Sequence, residues 1–210
     1  MELAIRGGSR PPVKIGAIYT IGLNYRDPAD PNDSSRPERP LVYGKATSSL
    51  AAADTTLSWD RALTATVNGE CELGVVVGDH ARVLGYTIVN DVTSQDEWLD
   101  GDQWLLGKSL PGFCPTGPDI VLAADLDPRD LRLGFRLNGI DVQDGRTSQM
   151  RFSIVDIQDY LGRHIALQTG DLIATGTPVR IGPAAGRHLQ PGDVMTCWIE
   201  GIGELTNTVA

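Results

Sequence analysis

Two carboxylates, Glu70 and Glu72, flank Cys71 at the head of an apolar run in NGECELGVVVG (68–78). Side chains alternate along a strand, so both carboxylates project from one face. Like charges side by side repel, and burial makes each far more costly unless a cation compensates. A third acid, Asp91, closes the next apolar run in GYTIVNDVT (85–93). Three carboxylates make an all-oxygen donor set, which suits Mg²⁺, Mn²⁺ or Ca²⁺ rather than Zn²⁺ or Cu²⁺. The same spacing also fits a solvated edge strand with two surface acids. Lys108 interrupts the apolar, glycine- and proline-rich segment LLGKSLPGFCPTGPDI (105–120). Beside such a site it can bind an anion or move a proton; by itself it also fits a surface lysine whose stem lies on apolar neighbours. In DLIATGTPVRIG (171–182) the turn Thr175-Gly176-Thr177-Pro178 offers amides and hydroxyls that can hold a carboxylate, or it is an ordinary turn.

These groups need a scaffold, and the sequence reads as a β-rich α+β domain. Short runs bounded by Gly, Pro, Asn or Asp predict strands at Lys14–Ile21, Glu72–Val77, Leu84–Val89, Asp119–Leu122, Leu131–Leu137, Asp171–Ala174 and Val194–Ile199. Asn138-Gly139 between two such runs predicts a hairpin, because both central residues of a type I′ turn need positive φ. One helix is expected after Ser153, which can cap with Asp156, while Ile154, Ile157 and Leu161 recur at helical spacing and Gly162 can end it in the left-handed conformation. A second, shorter helix is expected over Asp96–Leu105. Residues 26–39 read as an exposed loop. The chain has 210 residues with 27 acidic against 18 basic ones, a net charge of −9, and no basic run, so nucleic acid and anionic membranes are poor partners. No apolar stretch reaches the roughly 18 residues of a membrane span, and the N-terminus MELAIRGGSR lacks a secretory apolar core, which places the chain in the cytoplasm. Its three cysteines are widely spaced without a CxxC, which argues against disulfides and zinc.

Taken together, IGLNYRD (21–27), LVYGKATS (41–48), ECELGVVVG (70–78), GYTIVNDVT (85–93), LLGKSLPGFCPTGP (105–118), RLNGIDVQDGRTSQM (136–150), TGDLIATGTPVRIG (169–182) and LQPGDVMTCWIEGIGELTN (189–207) resemble the fumarylacetoacetate hydrolase family, in its shared C-terminal catalytic domain. The resemblance implies a mixed β-roll or β-sandwich, with residues 1–13 as an N-terminal arm and 14–210 as the catalytic domain, and a homodimer. It implies a divalent metal, Mg²⁺ or Mn²⁺, on Glu70, Glu72 and Asp91. Lys108 and Thr177 match substrate-site residues, Gly176 belongs to the same turn, and Lys45 matches a lysine near the site. The substrates implied are small 2-oxo acids and 1,3-dicarbonyls, handled through a metal-stabilised enolate.

The sequence departs from the family pattern in three places. Family members that hydrolyse or decarboxylate commonly carry a His-Glu pair that would fall at positions 28 and 31, where Pro28 and Pro31 stand. After Asp91 the usual arginine and glutamine give way to Gln95 and, at or beside the glutamine position, Trp98, while Asp96 is retained; Pro111 replaces a family Asp. Gln95 and Trp98 remain candidate substrate contacts, and Asp96 a candidate catalytic acid. Isomerisation, tautomerisation and decarboxylation need electron withdrawal and a proton, so they survive this loss better than C–C bond hydrolysis. Hydrolysis returns if Asp96, Asp27, Asp30 or Asp33 supplies a base. The remaining alternatives are a non-catalytic, metal-dependent binding homologue and a metal-free structural domain.

Overall fold

The computed structural model describes residues 1–8, 10–30, 32–33, 37–96 and 103–210. Its strands are β1 (Glu2–Leu3), β2 (Val13–Lys14), β3 (Ile18–Gly22), β4 (Leu41–Lys45), β5 (Leu50–Ala51), β6 (Thr56–Leu57), β7 (Val67–Asn68), β8 (Cys71–Val77), β9 (Val83–Asn90), β10 (Thr93–Ser94), β11 (Cys114–Leu122), β12 (Arg132–Leu137), β13 (Ile140–Arg146), β14 (Leu172–Ala174), β15 (Val194–Ile199) and β16 (Gly203–Val209). Two α-helices accompany them among the described residues, α1 (Trp104–Gly107) and α2 (Ile154–Gly162).

Seven strands form one mixed sheet in the order β4-β3-β14-β8-β9-β11-β5, and five form a second, β13-β12-β15-β16-β6. The strands include a sheet curled into a half-barrel, and the β-rich α+β expectation holds. Strand β8 is buried along its whole length, which is why its sequence is a nearly continuous apolar run rather than an alternating one. Leu73, Val75 and Val77 share a cluster with Leu133, Phe135, Met195 and Cys197 of the five-stranded sheet. On the opposite face Val76 packs with Leu3, Ile5, Ile18, Ile120 and Leu172. Each such buried aliphatic side chain stabilises the fold by about 1.5–3 kcal/mol. No helix of the described residues is long and apolar enough to cross a membrane.

Several local expectations are met. Asn138 and Gly139 have φ of 53° and 79° and join β12 to β13. Ser153 and Asp156 form a reciprocal capping box at the start of α2. Gly162, however, stays helical and Arg163 follows in the αR region, so the helix does not end on a left-handed glycine; His164 and Ile165 donate back to the Leu161 carbonyl and close the last turn. The second helix is described only at its end: Gln95 and Asp96 are not helical, residues 97–102 lie outside the described residues, and α1 covers Trp104–Gly107. The run from Lys14 to Ile21 divides into β2 and β3, because the buried Asp171 carboxylate takes the Ala17 amide out of any ladder, at 2.9 Å. Strands β1, β4, β5, β6, β7, β10 and β16 were not anticipated.

Candidate metal centre and cavity

Alternation carries Glu72 to the same face as Gly74 and Val76, away from the five-stranded sheet. The register between β8 and β9, with Cys71 opposite Asn90, then sets Asp91 beside Glu70, whose carbonyl accepts from the Asp91 amide at 2.9 Å. The three carboxylates therefore converge: an oxygen of each of Glu70, Glu72 and Asp91 lies within 4.8 Å of the other two. Cys71 between them faces the other way, its thiol directed at the Trp198 carbonyl. An all-carboxylate cluster of this size has the donor chemistry of a magnesium, manganese or calcium site.

Two buried lysines compensate the charge. Lys45 Nζ donates to Asp91 Oδ1 at 2.5 Å and to the Val92 carbonyl at 3.0 Å. Lys108 Nζ donates to Asp91 Oδ2 and to Thr93 Oγ1 at 3.0 Å, and stands 3.9 Å from Glu70 Oε2. Three acids against two lysines leave one negative charge in excess. Burial pushes the Glu72 carboxyl well above its usual range, and the charges of Asp91 and Glu70 add to this. Burial also raises Glu70, although Lys108 opposes it. Burial pushes Asp91 up too, but Lys108 and Lys45 outweigh it and hold the carboxyl low. Burial works against the Lys108 ammonium, yet Asp91, Glu70 and Glu72 together keep it charged to higher pH than an ordinary lysine.

The Thr175–Pro178 turn closes over the glutamates. Gly176 has φ of 95°, and a Cβ there would meet the Ile21 carbonyl and the Asn24 side chain at 2.9 Å, so only glycine fits. That conformation aims the Gly176 amide at Glu72 Oε2, 2.7 Å away. Thr177 Oγ1 donates to the Cys71 carbonyl at 2.7 Å. Asn24 fastens the turn from behind through the Thr175 carbonyl at 2.7 Å and the Phe152 amide at 2.9 Å.

A cavity of about 470 Å³ opens beside the cluster. Glu70, Glu72, Asp91, Lys108, Gln95, Gly176 and Thr177 line it, so the structure brings these sequence candidates together. Lys45 is not on its wall: at 4% exposure it sits beneath Asp91. Asp96 is also off the wall, accepting hydrogen bonds from Thr66 and Ser94. Burial pushes its carboxyl up, but the hydroxyl donors Thr64, Thr66 and Ser94 outweigh it and hold the group low. Trp98 lies outside the described residues, as does Pro31, while Pro28 is exposed.

Of the three loop acids, Asp27 lines the cavity and Asp33 pairs with buried Arg151. None of the three histidines lines it: His80 and His164 are exposed and His188 contacts Asn68. Tyr43, Trp104 and Arg180 line the cavity without having been singled out in the sequence. Arg180 at least stood in the TGTP segment, as its one basic residue.

Residues 17–210 match the family model described as fumarylacetoacetate (FAA) hydrolase C-terminal. An uncharacterized protein of Pyrococcus horikoshii is 36% identical over 202 residues, covering 90% of this chain and 85% of the relative. The 5-carboxymethyl-2-hydroxymuconate delta-isomerase of Mycobacterium smegmatis superposes with a TM-score of 0.83 at 32% identity, over 95% of this chain and 80% of that one. The fumarylpyruvate hydrolase of Pseudomonas aeruginosa, solved with Mn²⁺ and pyruvate, gives a TM-score of 0.85 at 26% identity, over 100% of this chain and 95% of that one. The chain belongs to the fumarylacetoacetate hydrolase family.

Proposed function

We propose that this protein is a divalent-metal-dependent enzyme for a small 2-oxo acid or 1,3-dicarbonyl compound, and that it isomerises, tautomerises or decarboxylates it. The observation that carries the reading is the convergence of Glu70, Glu72 and Asp91 within 4.8 Å at the wall of a cavity that holds Lys108 but no histidine. The manganese and pyruvate in the similar fumarylpyruvate hydrolase support the same pairing of metal and 2-oxo acid. Bound there, Mg²⁺ or Mn²⁺ would withdraw electrons from the ligand carbonyl and favour an enolate.

The chain's own residues supply the rest. Glu70, Glu72 and Asp91 hold the cation, the Gly176 amide fixes Glu72, and Lys45 and Lys108 fix the two oxygens of Asp91. Because its ammonium is stabilised, Lys108 acts near neutral pH as a fixed positive charge and hydrogen-bond donor rather than as a base. Thr177 and Gln95 bound the ligand's other sides. Asp27 favours a second reading, C–C bond hydrolysis with a substitute base, since it is the loop acid on the cavity wall.

The test incubates the protein with Mg²⁺ or Mn²⁺ and a panel of 2-oxo acids and acylpyruvates while enol absorbance is followed. Turnover is expected, together with loss of bound metal but not of fold in Glu72→Ala. Unchanged metal content in that variant refutes the metal site. A binding-only homologue would show metal-dependent thermal stabilisation by one of these compounds without turnover. Asp27→Asn separates the readings, because a hydrolase that used Asp27 would lose kcat. The reading also has the chain as a cytoplasmic homodimer with residues 1–13 as an arm, and sedimentation velocity checks the dimer.

A further inference from the structure

The strand that carries Glu70 and Glu72 outruns its neighbour. Strand β14 pairs with β8 only from Gly74 to Val76, opposite Ala174 to Leu172. At Cys71 the β14 side of β8 therefore has no strand to bond among the described residues, although Cys71 is fully buried. A buried amide or carbonyl left without a partner is costly. Side chains take the place of the missing ladder. The Cys71 amide donates to Gln143 Oε1 at 3.0 Å, and the Cys71 carbonyl accepts from the Thr177 hydroxyl. On the residues just before it, the Glu70 amide donates to Asn90 Oδ1 at 3.0 Å and the Gly69 carbonyl accepts from Arg180 Nη1 at 3.0 Å.

Gln143 is the member of this set that spans two parts of the site. It stands on β13 in the five-stranded sheet and is fully buried. The other end of its amide donates to the Pro178 carbonyl at 2.8 Å. One planar group thus ties the peptide between Glu70 and Glu72 to the Thr175–Pro178 turn, whose Gly176 amide holds Glu72. An apolar side chain of the same length offers neither the acceptor nor the donor. We propose that Gln143 is a positioning residue for the carboxylate cluster, and that it sets metal affinity through the Cys71 amide and the Pro178 carbonyl rather than as a ligand. This inference rests on the metal-dependent reading above and adds to it a residue outside the three acids. Without Gln143 the strand and the turn part, and the oxygens of Glu70 and Glu72 lose their common setting. Partners that orient ligands in this way are worth about 10–100-fold in metal affinity.

Gln143→Met keeps the length of the side chain and removes both hydrogen bonds. Asn207→Leu serves as the control, since it removes another buried amide, one bonded from β16 to the Ala52 and Thr55 carbonyls. Mn²⁺ is titrated calorimetrically into each protein well below its unfolding temperature, the electron paramagnetic resonance spectrum of the bound Mn²⁺ is recorded, and Tm is measured in EDTA. Both variants are expected to lose Tm. Only Gln143→Met should lose Mn²⁺ affinity, by about tenfold or more, and change the Mn²⁺ spectrum. If the wild type does not bind Mn²⁺, the metal-dependent reading itself falls. If the wild type binds and Gln143→Met binds equally well, the positioning role is overturned and the metal reading stands. Equal losses of affinity in the two variants overturn it too, because lost stability then accounts for both. In the ¹⁵N-labelled wild type, the Gln143 side-chain amide protons should exchange slowly with solvent. Fast exchange overturns the clamp even where a variant does not fold.

Discussion

Lys45→Met removes the cation beneath Asp91 and leaves an apolar side chain of similar length. In the intact protein the Lys45 side chain is fully buried and 2.5 Å from Asp91 Oδ1, and Asp91 is itself 1% exposed. At an effective dielectric near 20, that contact has a gross attraction of about 7 kcal/mol. Part of this returns because the variant no longer buries an ammonium, so the net cost is about 3–5 kcal/mol, as for other buried pairs broken on one side. For a chain of this size that corresponds to a fall in Tm of roughly 6–20 °C. The cluster's excess rises from one negative charge to two, with Lys108 as Asp91's remaining lysine. A divalent cation replaces part of what was lost, so manganese should raise the Tm of the variant more than that of the wild type. Thermal unfolding by circular dichroism, in EDTA and in saturating Mn²⁺, measures both numbers. An equal loss in the two conditions would falsify the electrostatic account and leave Lys45 as a packing residue.

Metal binding should release a proton over the pH range in which the buried Glu72 carboxyl is still protonated. Burial, with Asp91 and Glu70, holds the Glu72 carboxyl above its ordinary 4.5, so the metal-free folded state keeps a proton that the unfolded chain has lost. Stability of the metal-free protein therefore falls as pH rises through that window, while metal affinity rises; calorimetry in two buffers of different ionisation enthalpy should detect the released proton. Gly85→Ala and Gly139→Ala should differ sharply. A Cβ at Gly85 would stand 2.2 Å from the Val121 carbonyl oxygen, whereas at Gly139 it meets open space, so Gly139→Ala costs only the left-handed backbone, about 1–2 kcal/mol. Chemical denaturation of the two variants compares them, and an equal or smaller loss at Gly85 contradicts the packing. Cys71, Cys114 and Cys197 are all buried, and burial pushes the Cys114 thiol up to about 11. Ellman's reagent at mildly alkaline pH should therefore titrate none of the three until the protein is unfolded.

Much of the carboxylate cluster was legible in the sequence because its rule is local. Glu70 and Glu72 share a face through strand alternation, whatever the rest of the chain does. Asp91 joins them through the pairing of two consecutive apolar runs, and consecutive strands commonly pair. Asn138-Gly139 and the Ser153 cap were equally local, resting on φ preferences and on a three-residue hydrogen-bond loop. The helix expected over Asp96–Leu105 was not secured in this way: Asp96 is not helical, and among the described residues α1 shares only Trp104 and Leu105 with that span.

What the sequence by itself determined is the chemistry on offer: three carboxylates, a lysine among apolar neighbours and a glycine turn, each encoded within a few residues. The tertiary structure decided who meets whom. Lys45 lies under Asp91, 46 positions away, because β4 joins the sheet edge through β3. Tyr43 meets Trp104, Asp27 reaches the cavity in place of Asp96, and Gly176 donates to Glu72 across 104 positions. Periodicity fixes which face a side chain takes over its own strand. Order and register between distant strands follow from burying both faces of β8 at once, and no single segment carries that condition.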